Sequence, residues 1–361
     1  MKAVIELYKN VVVQIATPYS TGTGFYLHDY QLIVTNDHVV RDNREVVVDG
    51  MAFEKQLAKV VFSDPKYDLA FIQAPKDIDM PPVPLAFDLN LQEGDQVLAI
   101  GHPFGLKYNA IQGNISSVRH QQGDIDYLKH SAALAPGNSG GPLVNADSQI
   151  VGVNTFISQD GDNIGFSLPV AQLLDAIDAY QTKRAEVSAR CFNCSNVVAE
   201  NEMDNRYCPH CGSRLEMPSA ADAYEPVGVA KTIEDLLANA GHQVDLSRRG
   251  PNNWQIRQGS AKINISYYEK TGLIIGDAYL CSLPQKDIKP LYEYLLRQNY
   301  EIENLTFSVR GQDITLSLLI YDRYLNLDTG MALFTHLFEK ADDYDNILVE
   351  EYGAQWRQEE G

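Results

Sequence analysis

The sequence predicts a multidomain protein: an all-β part, a short cysteine-bearing segment and an α+β part, in that order. Three observations predict it. The 361 residues exceed what one ordinary core holds and point to two or three domains. Residues 1 to about 180 read as short strands punctuated by glycine and proline, the pattern of a barrel or sandwich. Beyond about residue 219 helical spacing alternates with strand spacing. Boundaries drawn from these changes are 1–182, 183–219 and 226–361.

The expected strands of the first part include Asn10–Ala16, Gly24–Leu27, Gln31–Thr35, Glu45–Val48, Leu69–Gln73, Gln96–Ile100, Ile150–Thr155 and Gly165–Ser167. A helical stripe of Val170, Leu173, Leu174 and Ile177 follows them. In the last part, Ile233, Leu236, Leu237 and Ala240 mark a helix that Gly241 can terminate. Strands follow at Ile263–Tyr267 and Leu273–Leu283. A helix then places Ile288, Leu291, Tyr292, Leu295 and Leu296 on one face, with Pro290 in its first turn. A hairpin, Thr306–Arg310 and Ile314–Tyr321, and a helix with Leu333, Phe334, Leu337 and Phe338 complete it.

The formal charge of −19 argues against a nucleic-acid binder or an acidic-membrane binder. The charge is shared by the two ends of the chain, −10 over residues 1–182 and −9 over residues 218–361, with zero between. No apolar run is long enough to span a bilayer. Glu6 and Lys9 interrupt the stretch where a signal peptide needs its apolar core, so a cytoplasmic location is expected.

The run Ala135-Pro136-Gly137-Asn138-Ser139-Gly140-Gly141-Pro142-Leu143 carries the most chemistry. Its glycines let the backbone turn tightly and bring N–H groups close to a carbonyl oxygen. Ser139 there can attack an acyl carbon, with the amides of Gly137 and Ser139 receiving the oxyanion. Such a serine needs a base and a group to orient the base. The base is read as His38, in Thr35-Asn36-Asp37-His38-Val39-Val40 after a strand. Two acids compete for the orienting role. Asp64 precedes Pro65 and reads as a turn residue; Asp68 opens the apolar strand Leu69–Ile72 and is chosen.

With these residues stated, TNDHVV, DLAFI, GHPFGL, ALAPGNSGGPL and GFSLPV resemble, in order and spacing, the HtrA/Deg-type peptidases of the trypsin-like fold. The resemblance covers residues 1–180. It implies a trypsin-like double β-barrel and a serine endopeptidase acting on protein or peptide substrates. It carries the triad onto His38, Asp68 and Ser139, and the oxyanion hole onto the amides of Gly137, Asn138 and Ser139. It also implies that the strand containing Val153, Asn154 and Thr155 pairs with substrate backbone. Ala133 and Leu134 predict a pocket for small or medium apolar side chains. The chain departs from the family in having no PDZ domain after this part. His130 and Ser131 stand where the family has threonine and aspartate. The competing reading is a silent or latent peptidase fold used as an adaptor.

Two C-x-x-C pairs, Cys191/Cys194 and Cys208/Cys211, are spaced as two turns that each offer two thiolates to one ion. Cys208-Pro209-His210-Cys211-Gly212 resembles a zinc-ribbon knuckle, which implies one structural Zn²⁺ per chain, with iron as the alternative; catalysis needs no cofactor. Cys281 reads as a small core residue. The element order of the last part resembles type III secretion chaperones and YbjN-like domains, which implies a partner-binding or dimer surface. The run Asp342-Asp343-Tyr344-Asp345 reads as a solvated face.

Overall fold

A computed structural model describes residues 1–87, 91–102, 108–157, 164–183 and 186–356. They form two compact units, Met1–Tyr224 and a second beginning at Glu225.

The first unit opens with helix α1 (Lys2–Lys9), which buries Val4 and Tyr8. Six strands follow: β1 (Val12–Ala16), β2 (Thr21–Leu27), β3 (Leu32–Thr35), β4 (Glu45–Gly50), β5 (Phe53–Asp64) and β6 (Leu69–Gln73), with a single turn of helix, α2 (Asp37–Val40), after β3. Their order β5-β4-β1-β2-β3-β6 closes on itself because β5 also pairs β6. A second closed barrel contains β7 (Gln96–Gly101), β8 (Asn109–Gln122), β9 (Ile125–His130), β10 (Pro142–Asn145), β11 (Ile150–Ile157) and β12 (Gly165–Pro169). The β-branched and aromatic runs of β3, β6 and β7 are buried on both faces, as strands wrapped round a filled interior require. One apolar cluster links α1, both barrels and α3 (Val170–Gln181). Tyr180 of α3 lies 5.4 Å from the Phe62 ring and 5.5 Å from the Phe71 ring.

The cysteine segment contributes β13 (Ser188–Arg190) and β14 (Val197–Ala199). β13 pairs in parallel with the end of β5, Ser188 opposite Phe62 and Ala189 opposite Ser63. This segment has its own small core of Ala189, Val198, Leu215, Met217, Cys191 and Cys208.

The second unit contains α4 (Gly228–Asn239), α5 (Val244–Ser247), β15 (Asn253–Gln258), β16 (Ala261–Tyr268), β17 (Leu273–Ser282), α6 (Ile288–Glu301), β18 (Leu305–Arg310), β19 (Asp313–Tyr321), α7 (Leu327–Tyr352) and β20 (Gln355–Trp356). The antiparallel sheet runs β15-β16-β17-β19-β18, with β20 added to β17. Two sequence expectations are corrected here. On α6 only Leu291 and Leu295 are buried; Tyr292 and Leu296 turn outward with Tyr300, because positions four apart form one stripe and the next residue begins another. The acidic run is not wholly solvated: Asp345 is fully buried on α7 and accepts a hydrogen bond from Ser260 Oγ. Cys281 is in the core as expected, and burial pushes its thiol up to about 12. Among the described residues no helix is long and apolar enough to cross a membrane.

Candidate active site

His38 lies on α2, directly after the buried strand β3, and Asp68 sits immediately before β6. Pairing of β3 with β6, Thr35 opposite Ala70, brings the two together. His38 Nδ1 and Asp68 Oδ2 are 2.6 Å apart, and the His38 N–H donates to Asp68 Oδ1 at 2.9 Å. The carboxylate therefore fixes both the ring and its backbone. Asp68 holds a left-handed conformation at φ +52°, an unusual geometry of the kind that collects at functional sites. Asn36 Nδ2 donates to the Asp68 carbonyl at 2.8 Å. On the other side, buried Asp37 receives Arg41 Nε and Nη2 at 3.0 and 2.8 Å and Ser63 Oγ at 2.5 Å. Burial raises the Asp37 carboxyl, with these donors opposing.

The serine loop is held by backbone bonds from both barrels. Thr23 N–H donates to the Ser139 carbonyl at 2.9 Å. Gly140 N–H donates to the Asn154 carbonyl and Asn154 N–H to the Gly141 carbonyl, each at 2.8 Å. Gly140 has φ +85°, and a Cβ there would lie 2.2 Å from both the Thr23 carbonyl oxygen and Thr35 Oγ1. No side chain fits. Gly137, at φ +99°, has its carbonyl turned inward onto Thr23 Oγ1 at 2.6 Å. Among the described residues, the N–H groups of Gly137 and Ser139 have no backbone acceptor. Asn138 departs from expectation: its N–H is spent on the Ala135 carbonyl at 3.0 Å, so it cannot also receive an oxyanion.

A Cβ added to Gly22 would meet the Val39 side chain at 2.6 Å and the Ser139 carbonyl at 3.1 Å, so the base and serine segments converge on one backbone position. The Ser139 hydroxyl itself donates to the Thr155 carbonyl at 3.1 Å. No hydrogen bond joins His38 to Ser139 among the described residues. Val153 and Asn154 are fully buried, and their backbones lie between β10 and β12. They form the wall behind the serine rather than an open edge. Ala133 and Leu134 are half-buried beside the loop. Most of the run from Gly101 to Leu106 lies outside the described residues.

For two groups next to this site the sequence does not foretell the burial or the partners. His130 is fully buried with Nε2 2.9 Å from Ser167 Oγ, which donates to Asn154 Oδ1 at 3.0 Å. Asp64, the rejected acid, is fully buried and receives Arg190 Nε at 2.6 Å. Asn36 and Asp37 directly precede His38 in one motif. The Arg190 partnership spans 126 positions and leaves no local signal.

The four cysteines of the ribbon expectation meet. Their sulfurs all lie within 4.8 Å of one another, with Cys191 and Cys211 at 3.6 Å and Cys194 and Cys208 at 3.7 Å. Sulfurs at about 2.3 Å from a tetrahedral Zn²⁺ stand about 3.8 Å apart, so the donor set fits that ion. The two turns repeat one design. Ser195 N–H donates to the Cys191 carbonyl and Gly212 N–H to the Cys208 carbonyl, at 2.8 and 2.9 Å. Ser195 and Gly212 both have positive φ, +61° and +71°.

A histidine–carboxylate pair beside a glycine-bound serine, at the meeting of two six-stranded barrels, is the arrangement of trypsin-like peptidases. Residues 22–153 match the family model of the trypsin-like peptidase domain. Curated relatives include the putative serine protease HhoA of Synechocystis, 36% identical over 162 residues, 42% of this chain and 40% of that protein. A probable periplasmic serine endoprotease, DegP-like, of Chlamydia pneumoniae is 40% identical over 158 residues, 42% of this chain and 32% of the relative. Among solved structures, the serine endoprotease from Yersinia pestis matches at 30% identity and TM-score 0.45, covering 49% of this chain and 65% of that one. The chain thus spans about two fifths or less of the length of these curated relatives.

The expected cytoplasmic location is corrected by this comparison. Relatives from Chlamydia pneumoniae and Pseudomonas fulva are periplasmic by name. Charged residues near Met1 do not report a compartment, and neither do four cysteines whose sulfurs lie within 4.8 Å of one another and could hold a metal ion.

Proposed function

We propose that the protein is a periplasmic serine endopeptidase with His38, Asp68 and Ser139 as its triad. The observation that carries this reading is the 2.6 Å His38–Asp68 bond beside Ser139 in its glycine-bound loop. Because Asp68 accepts from Nδ1–H, the other ring nitrogen is free to take the Ser139 proton. Oγ then attacks the substrate carbonyl carbon, and its oxygen gains negative charge facing the N–H groups of Gly137 and Ser139. His38 returns the proton to the leaving amine, and water hydrolyses the acyl-enzyme by the same route in reverse. Ala133 and Leu134 favour small or medium apolar side chains before the cut bond. Substrate backbone pairs with β11 from Thr155 outward.

The four cysteines, in this reading, hold one structural Zn²⁺. A closed set of four thiolates leaves no open position for chemistry and supplies folding energy to a segment with a small core. The α+β unit recruits substrate or a partner. One observation favours a second reading, a latent enzyme: the Ser139 hydroxyl points at Thr155 rather than His38. Cleavage-site profiling on a denatured proteome tests both. Wild type is expected to cut after small or medium apolar residues, and Ser139→Ala not at all. Cutting that needs an added partner favours latency, and cutting that survives Ser139→Ala refutes the triad.

A further inference from the structure

Asp64 and Arg190 form a buried ion pair that the peptidase chemistry does not use, and its contacts reach both the cysteine segment and the turn that leads to Asp68. Asp64 ends β5, four residues before Asp68. Its Oδ1 accepts the N–H groups of Lys66 and Tyr67, each at 3.2 Å, so this carboxylate shapes the turn that delivers Asp68. Its Oδ2 accepts Arg190 Nε at 2.6 Å. Arg190 precedes Cys191 directly. Its Nη1 donates to the Ser195 carbonyl at 3.2 Å, and its Nη2 to Asp175 Oδ2 at 3.1 Å. Lys66 Nζ reaches Ser195 Oγ at 3.1 Å. The Tyr67 ring lies under both cations, 5.2 Å from the Arg190 guanidinium and 5.3 Å from Lys66 Nζ.

Ser195 is the link. It closes the first cysteine turn at the left-handed position that Gly212 fills in the second, and its side chain and carbonyl both face the Asp64–Asp68 turn. The backbone adds a second tie: β13 extends the edge of β5 at Ser63, whose hydroxyl holds Asp37 beside His38. The cysteine turn is thus joined to the segments that carry both the acid and the base.

We propose that the four-cysteine segment is a positioning arm of the triad: Arg190, through Asp64, sets Asp68, so that loading of the cysteine site governs the peptidase. This rests on the triad reading above. A buried carboxylate left without its cation, with only two backbone N–H donors at 3.2 Å, is costly, so Asp64 shifts once Arg190 withdraws. The turn over residues 65–67 then loses its acceptor, and Asp68 loses its register with the imidazole. A misplacement of about 1 Å at a triad member costs on the order of 10²-fold in rate.

The test uses the full chain, zinc-loaded and then stripped by a chelator at neutral pH. Two readouts are taken: the rate of fluorophosphonate labelling at Ser139, and the far-downfield Nδ1 proton resonance of the His38–Asp68 bond. Stripping is expected to lower the rate on the order of 10²-fold and to broaden the resonance, with the β-sheet circular dichroism kept and both readouts restored by zinc. Zinc-loaded Arg190→Met is expected to match stripped wild type, and stripping it to add nothing, since effects along one route do not add. Should that variant fold poorly, Asp64→Asn/Arg190→Met removes both charges, and its two readouts are expected to ignore stripping. An unchanged resonance in stripped wild type overturns the proposal, as does a double variant that responds to stripping as wild type does. Loaded protein that shows the resonance but never labels refutes the peptidase reading alone, because the resonance still reports the coupling.

Discussion

Lowering the pH from 7 to about 4 should weaken the second barrel through one side chain, His130. Ser167 has a single hydroxyl proton and gives it to Asn154 Oδ1, so its oxygen accepts from His130 and Nε2 carries the imidazole proton. A second proton must enter at Nδ1, inside a fully buried site cut off from water and packed against Gly165, where a Cβ would lie 2.3 Å from His130 Cε1. Burial, opposed in part by the Ala132 carbonyl, pushes the His130 pKa down from 6.5 to about 4. With the folded value below the unfolded one, the unfolded chain binds a proton in this window that the folded chain refuses. Stability is intact above pH 6.5 and falls as the pH drops toward 4, by about 3 kcal/mol at 1.36 kcal/mol per unit. Because Asn154 binds Gly140 and Gly141, the loss loosens the serine loop. His130→Gln keeps a donor for Ser167 but does not titrate. Urea titrations, read by hydrogen exchange over β9, β11 and β12, should give wild type a pH slope that the variant lacks. Buried Asp37 and Asp64 titrate in both proteins and cancel in the difference. Equal slopes would refute the argument.

Gly140→Ala should cost about 1–2 kcal/mol for its positive φ and about 1–3 kcal/mol for overlap with the Thr23 carbonyl; thermal melts and Ser139 labelling should both fall. Asp68→Asn offers N–H where Nδ1–H must donate, which turns the imidazole to the wrong tautomer. It should lower kcat on the order of 10⁴-fold with KM little changed, and a kcat near wild type contradicts the assigned acid. Elemental analysis should find about one zinc per chain, lost in Cys194→Ser/Cys208→Ser together with the protease resistance of residues 188–217; a folded, metal-free segment contradicts the ribbon.

Much of the site was legible because its chemistry is local. His38 follows a buried strand, Asp68 opens another, and Ser139 sits among glycines whose crowding the sequence announces. Choosing Asp68 over Asp64 rested on strand position and on the turn that Pro65 signals, and the His38–Asp68 bond is the geometry that choice anticipates. Long hairpin strands such as β5 and β8 were not legible: their outward faces are polar, and regular alternation is broken by bulges at Val60/Phe62 and at Ile115/Ser117. Asn138 carried no sign that its amide was already taken. The partnerships of Asp64 with Arg190 and of His130 with Ser167 depend on closing barrels and docking a distant strand. Spacing along the chain does not encode them.

The most direct measurement is mass spectrometry of the full chain after reaction with a fluorophosphonate at neutral pH. The account predicts one adduct, located on Ser139, abolished by Ser139→Ala and slowed strongly by Asp68→Asn. An adduct elsewhere, or equal labelling of wild type and Asp68→Asn, would contradict it.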